Sequence, residues 1–175
     1  MQLELSSPQH TDEFGALLAR CALHYRNRII DSGLNIRLEG NLGAGKTSLA
    51  RAMLRALGVE GRIKSPTFTL LETYPIDQLL EVYHFDFYRF ESPEEFLDAG
   101  FRDHFAAAHI TLVEWSEKAG DCLPKADLTL ILEPSGNGRC LTLVPGNSFG
   151  RELADSVVTC LLYTSPSPRD RSLSR

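Results

Sequence analysis

Residues 38–49, "LEGNLGAGKTSL", constrain this chain more than any other stretch, because three glycines, a lysine and a threonine stand between an apolar run and a helix-like run. Gly40 to Thr47, "GNLGAGKT", fits the spacing G-x-x-x-x-G-K-[ST] at every fixed position. "NIRLE" (35–39) before it reads as a short strand. "KTSLARAMLRALG" after it reads as a helix whose Leu49, Met53 and Leu57 form an apolar stripe ended by Gly58. Strand, glycine loop and helix in direct succession turn successive backbone N–H groups and the helix N-terminus onto one point, and glycines allow the positive φ and close approach that this needs. Such a point suits anionic oxygens. Lys46 is then expected to meet the β- and γ-phosphates of a nucleotide, and the Thr47 hydroxyl to be offered to Mg²⁺. The alternative, a glycine-rich turn with a solvated lysine, leaves the completed pattern and its flanks unexplained.

The rest of the chain supplies the elements such a loop needs. Ser7-Pro8 followed by Phe14, Leu17, Leu18 and Cys21 predicts a capped amphipathic helix. "TFTLLETY" (67–74) and "EVYHFDFY" (81–88), separated by "PIDQLL", predict two antiparallel strands. Ser92-Pro93-Glu94-Glu95 marks a helix start, and "ITLVE" (110–114), apolar until its final glutamate, predicts a central strand covered on both faces. "DLTLIL" and "CLTLV" around "EPSGNGR" predict a hairpin, and a last helix is expected from Ser148 to about Val158. The fold class that follows is α/β: a three-layer, P-loop NTPase-like sheet with a mainly parallel centre and antiparallel hairpin additions, carrying its ligand at the strands' carboxyl ends. One domain is expected over residues 1–158. Residues 159–175 are expected to form a disordered tail. Its last twelve residues, "TSPSPRDRSLSR", hold Leu173 as their one large apolar side chain and read more as translated cloning sequence than as a natural terminus.

Charge and cysteine usage narrow the function classes. A formal net charge of -5 over 175 residues lacks the dense basic face that neutralising a nucleic-acid backbone requires, which disfavours autonomous tight binding to nucleic acid. Cysteines at 21, 122, 140 and 160 form no CxxC pair, fitting neither a zinc framework nor a disulfide scaffold, and point to a reducing cytoplasm. The N-terminal stretch carries no leader pattern and no run approaches membrane-spanning length, so a cytoplasmic protein is expected.

A magnesium-assisted site needs carboxylates at the ends of strands beside the loop. Glu114 ends the apolar strand, where a carboxylate calls for a partner or water. Asp86 in "HFDFYR" is the second candidate, on a strand expected to be partly exposed. A solvated strand-end glutamate remains the ordinary alternative for Glu114, a half-buried strand residue for His84, and a surface ion pair for Arg89. A guanine site would present [NT]-K-x-D after a late strand. "PKAD" (124–127) lacks the leading residue and precedes its strand, so ATP is favoured over GTP, with Trp115 either available for stacking or part of the core.

"GNLGAGKT", "KSPTFTLLETY", "YHFDFYR", "LVEW" and the "GNGR" turn, in this order and at these spacings, resemble the TsaE family, also called YjeE, over about residues 5 to 158. The resemblance implies a small ATPase needed in bacteria for the threonylcarbamoyl modification of the adenosine beside the anticodon in tRNA. Such proteins do not transfer the carbamoyl group; they associate with the TsaD–TsaB complex and support its repeated turnover, with tRNA engaged through that complex. Carried onto this sequence, Gly43, Ala44, Gly45, Lys46, Thr47 and Ser48 surround the phosphates, Thr47 and Glu114 are magnesium ligands, and Asp86 activates or positions the attacking water. Thr67 of "SPTF", Trp115, Gly138 and Arg139 are further nucleotide-contact candidates, with strand and turn packing as their alternative. Asn41 stands where family members commonly carry Asp, at a position that contributes mainly backbone. Fast hydrolysis also wants an arginine against the transition-state charge, for which Arg89 and Arg139 are the internal candidates, so slow turnover is expected without partners. Two rival classes share the loop: a small-molecule kinase, and a nucleotide-gated binding module with little hydrolysis.

Overall fold

The structure, a computed structural model, describes residues 1–106 and 108–164. In chain order the elements are β1 (Gln2–Leu5), α1 (Pro8–His24), α2 (Arg26–Ser32), β2 (Leu34–Glu39), α3 (Lys46–Ala56), β3 (Leu71–Pro75) and β4 (Glu81–Asp86), followed by α4 (Glu94–Asp98), β5 (His109–Glu114), β6 (Leu128–Ser135), β7 (Gly138–Pro145) and α5 (Ser148–Thr164). They build one seven-stranded sheet of order β1-β7-β6-β2-β5-β4-β3. The four strands β6, β2, β5 and β4 run parallel; β7, β1 and β3 add on antiparallel at the two sides. This is the expected α/β arrangement with a parallel centre and hairpin additions.

Local chemistry accounts for most boundaries. The Ser7 hydroxyl accepts from His10 N–H at 3.2 Å and Pro8 opens α1, so the start read from the sequence is the start in space. α3 ends as its sequence predicts, with Gly58 in the left-handed region at φ 98° and Val59 N–H returning to Leu54 O at 3.1 Å. β5 is buried at every position from Ile110 to Glu114, because β2 and β4 flank it and both faces are covered.

One face of the sheet carries α1, α3 and α5 over Leu34, Ile36, Leu38, Ile110 and Leu112. α1 and α3 approach closely at Gly15, where a Cβ would lie 2.6 Å from that of Ala52 and 3.1 Å from Leu49 O. Gly15→Ala is therefore expected to lower stability by about 1–3 kcal/mol through overpacking, read as a shifted midpoint in urea unfolding. The opposite face is aromatic: Phe85 stacks on Phe105 with centroids 5.2 Å apart, Phe87 stacks on Phe90 at 4.7 Å, and Phe96 of α4 meets Phe87 edge-on at 5.8 Å.

Several expectations are corrected. Thr67 to Leu70 is not strand: Leu70 N–H closes a turn on Pro66 O at 2.7 Å with Leu70 at φ 64°, and β3 begins only at Leu71. The proline and the bonds of Ser65 and Thr67 hold this segment as a turn. β4 ends at Asp86, whose carboxylate takes the N–H of Tyr88 at 2.9 Å and turns the chain there. Asp86 is not partly exposed but 3% exposed, since the turn before β3 folds against it, with Leu70 O accepting its N–H and Thr67 donating to its carboxylate, and β5 pairs on its other side. β1 and α2 carry too few residues to register as periodic patterns in the sequence. α5 continues past Val158 to Thr164, so residues 159–164 are helix; 165–175, the remainder of the expected tail, lie outside the described residues. Among the described residues no helix is long and apolar enough to cross a membrane.

Candidate functional site

The parallel strands β2, β4 and β5 all end on the same side of the sheet, and the glycine loop leaves β2 there. Asp86 and Glu114 are register partners at the ends of β4 and β5. Strand alternation then puts Val82, His84 and Asp86 of β4 on the same face as Ile110, Leu112 and Glu114 of β5, the face that packs α3. Loop and carboxylates border one cavity of about 280 Å³, lined by Gly43, Gly45, Lys46, Thr47, Ser48, Thr67, Asp86, Tyr88, Glu114 and Trp115, with Leu42 at its edge.

The polar groups in it are tightly bonded. Thr47 Oγ1 lies 2.9 Å from each Glu114 oxygen, and His84 Nε2 donates to Glu114 Oε1 at 2.8 Å. Thr67 Oγ1 donates to Asp86 Oδ2 at 3.0 Å, with Ser65 Oγ 2.9 Å from Thr67 Oγ1. Lys46 Nζ donates to Gly40 O and to Asn41 O, the latter at 3.1 Å, and sits 4.1 Å from the centre of the Trp115 ring, with the Tyr88 ring 4.9 Å from that of Trp115. Trp115 holds φ 57°, a costly backbone for a bulky residue, and so is turned toward Lys46 rather than continuing β5.

Burial sets the electrostatics. Desolvation raises the Asp86 carboxyl above its ordinary 3.8, and the Glu114 charge adds to this against the opposing bonds from Tyr88 N–H and Thr67. Desolvation pulls the Lys46 ammonium below its ordinary value, partly offset by Glu114, Glu117 and Asp86.

The sequence-derived candidates divide. Gly43, Gly45, Lys46, Thr47, Ser48, Thr67, Asp86, Glu114 and Trp115 are brought to one cavity. Ala44 is buried beneath the loop, its N–H bonded to Asn41 O at 3.0 Å. Gly138 is not in the cavity lining: a Cβ there would meet Leu5 O at 2.3 Å, so it serves the β1–β7 pairing. Of the two arginines, Arg89 stacks on Phe68 at 4.0 Å. Arg139 reaches the loop instead, occupying the space over Gly45 where a Cβ would come within 1.6 Å of its Nη1. That Nη1 is buried without a hydrogen-bond partner among the described residues. Gly45 sits at φ 103°, so position 45 excludes side chains on both counts. His84, expected as a half-buried strand residue, is instead fully buried and bonded to Glu114; a histidine two residues before the carboxylate of "HFD" on the core-facing alternation is the signal in the sequence.

The residues fit a magnesium–triphosphate group by their own chemistry. An orphaned guanidinium atom and a lysine lie beside a glycine turn, and a hydroxyl–carboxylate pair adjoins them. Among the described residues no group of three or more His, Cys, Asp or Glu is placed to hold a metal; magnesium, which keeps waters and binds through few protein oxygens beside phosphates, asks for none.

Comparison with known proteins gives the family. The family model described as "TsaE: Threonylcarbamoyl adenosine biosynthesis protein TsaE" matches residues 5–141. A Haemophilus influenzae protein named tRNA threonylcarbamoyladenosine biosynthesis protein TsaE is 41% identical over 123 residues, covering 70% of this chain and 77% of that protein. A protein of the same name from Rickettsia conorii is 33% identical over 158 residues, 90% of this chain and 85% of its own length. The crystal structure of Bacillus subtilis YdiB superposes with a TM-score of 0.72 at 25% identity, covering 91% of this chain and 95% of that one. Matches of this extent reach well beyond the glycine loop that many unrelated proteins share, and the chain belongs to the TsaE family.

Proposed function

We propose that this chain binds and hydrolyses ATP with Mg²⁺ in the cytoplasm, as the component of tRNA threonylcarbamoyladenosine modification that supports turnover of a TsaD–TsaB complex. Family membership points to a P-loop nucleotide-binding protein in that pathway. The observation that carries the finer reading is the meeting of Thr47, at the end of the glycine loop, with Glu114, at the end of β5, beside Asp86 on the next strand.

Gly43, Gly45 and the first N–H groups of α3 bind phosphate oxygens, Lys46 adds positive charge from the cavity lining, and Arg139, outside that lining, adds it from over Gly45. Thr47 Oγ1 and Glu114 would hold the cation, which when bound would supply neutralising charge to the phosphates. Asp86 orients the attacking water and accepts its proton at a carboxylate oxygen; its raised pKa makes it the better base for that role. Trp115 and Tyr88 wall one side of the cavity.

Slow turnover in isolation follows from how Asp86 is held. Thr67 Oγ1 occupies its Oδ2, and Arg89 is engaged by Phe68. Phe68 and Leu42, each 77% exposed, present apolar surface from the "SPTF" turn and the loop tip at the cavity rim. A partner covering that rim shifts the turn, frees Asp86 and excludes water.

Phosphate release measured for the unsubstituted chain, Thr47→Ala and Glu114→Ala, each with and without TsaD–TsaB, tests this. Both variants are expected to lose the magnesium requirement together with about 10²–10³-fold of the stimulated rate, the scale for removing a preorganised electrostatic contact. A phosphorylated small molecule among the products would favour a kinase. ATP binding without release under any condition would favour a gated binding module.

A further inference from the structure

We propose that His84 is a positioning residue whose Nε2–H fixes the Glu114 carboxylate against Thr47 and thereby sets the chain's affinity for the divalent cation; this rests on the nucleotide-binding reading above. His84 lies on the core-facing side of β4 between Val82 and Asp86, and its side chain is 0% exposed. On that face Val82, Leu112 and Ile110 surround it on the side away from the cavity, while Asp86 and Glu114 lie toward the strand ends, so an aliphatic side chain would match the apolar neighbours but leave Glu114 without this donor. The imidazole makes one hydrogen bond, Nε2 to Glu114 Oε1 at 2.8 Å, while Nδ1 has no partner among the described residues. A histidine kept for packing and stability has no use for an unpaired buried nitrogen, which costs free energy. One kept for what Nε2 does can carry that cost.

A carboxylate oxygen only accepts, so Nε2 bears the proton and the imidazole is the donor. Glu114 is itself 2% exposed and, among the described residues, has two side-chain donors, His84 and Thr47. Thr47 stands 2.9 Å from both oxygens but has a single hydroxyl hydrogen, so it serves one of them at a time. A threonine that offers its oxygen to a cation orients that hydrogen by the cation's demands, and His84 is then the donor whose direction does not change. It is anchored in β4, a strand hydrogen-bonded on both sides, so the carboxylate inherits the rigidity of the sheet.

The test compares the unsubstituted chain with His84→Leu, His84→Gln and His84→Asn. Mn²⁺ binding in the presence of a non-hydrolysable ATP analogue is followed by the electron paramagnetic resonance of free Mn²⁺, and analogue binding is measured separately in EDTA. His84→Leu and His84→Asn are expected to weaken Mn²⁺ binding by about tenfold to a hundredfold, the range for losing a partner that orients a metal ligand. His84→Gln, whose amide nitrogen takes the place of Nε2, is expected to recover most of the loss, and analogue binding in EDTA to be unchanged throughout. The Asn–Gln comparison carries the test if His84→Leu does not fold, because the two differ by one methylene and only the longer reaches Glu114. Unchanged Mn²⁺ affinity in His84→Leu, or equal affinities for Gln and Asn, overturns the assignment. Absence of any cation-dependent analogue binding in the unsubstituted chain instead brings down the nucleotide-binding reading, and this assignment with it.

Discussion

Asp86→Asn is expected to cut partner-stimulated phosphate release by about 10²–10⁴-fold, the usual contribution of a positioned acid–base group, while making the ligand-free fold more stable at neutral pH. The two effects share a cause. The substitution is close to isosteric: the amide oxygen can accept Tyr88 N–H, and the amide nitrogen can donate to Thr67 Oγ1, whose own hydrogen turns to Ser65. What is lost is a charge that burial disfavours. The folded carboxyl is raised above its ordinary 3.8, mainly by desolvation and further by Glu114, so its ionisation destabilises the fold as pH rises through that ordinary value toward the folded one. The advantage of Asn is therefore fully present above the folded pKa. It shrinks as pH falls through that pKa and is gone below about 3.8. Thermal unfolding of both proteins across this range, alongside phosphate release at pH 7, checks it. A variant that is both less stable at neutral pH and unimpaired in stimulated release would remove Asp86 from its proposed place.

Lys46→Ala is expected to lower kcat/KM for ATP by at least about 10²–10³-fold, the scale for deleting a preorganised electrostatic contact. Lys46 is 5% exposed, lies over the Trp115 ring and donates to two carbonyls of its own loop. These contacts hold a compact ammonium where the loop closes on itself. Lys46→Arg is expected to fail as well, because a planar guanidinium needs more room than the space between Gly40, Asn41 and the indole ring offers. Stopped-flow binding of a fluorescent ATP analogue, with circular dichroism to verify folding, separates a lost contact from a lost fold. Equal analogue affinity in the alanine variant would place the phosphates elsewhere.

Much of the fold and site is legible in local pattern. The glycine loop announces itself because each of its positions has a backbone or charge requirement few residues meet. β5 is legible because a strand covered on both faces must be apolar throughout. Where local chemistry competes with pattern, reading fails. "TFTL" has the β-branched and aromatic content of a strand, but Pro66 and the bonds of Ser65 and Thr67 hold it as a turn. Asp86 is expected partly exposed, since nothing within "HFDFYR" tells that the turn carrying Thr67 and Leu70 will fold against the end of β4. Gly138 and Arg139 are adjacent in sequence and part ways in space, because alternation along β7 turns one against β1 and the other over the loop.

The sequence by itself determined the glycine loop between strand and helix and the apolar run of β5, and it named Glu114 and Asp86 as candidate carboxylates, since these rest on requirements within a few residues of each other. Only the tertiary structure decided that His84 donates to Glu114, that Arg139 rather than Arg89 reaches Gly45, and that Asp86 is buried. Each of those depends on strand order and register, and residues 30 or 94 positions apart meet only when long-range pairing has fixed the distance between them.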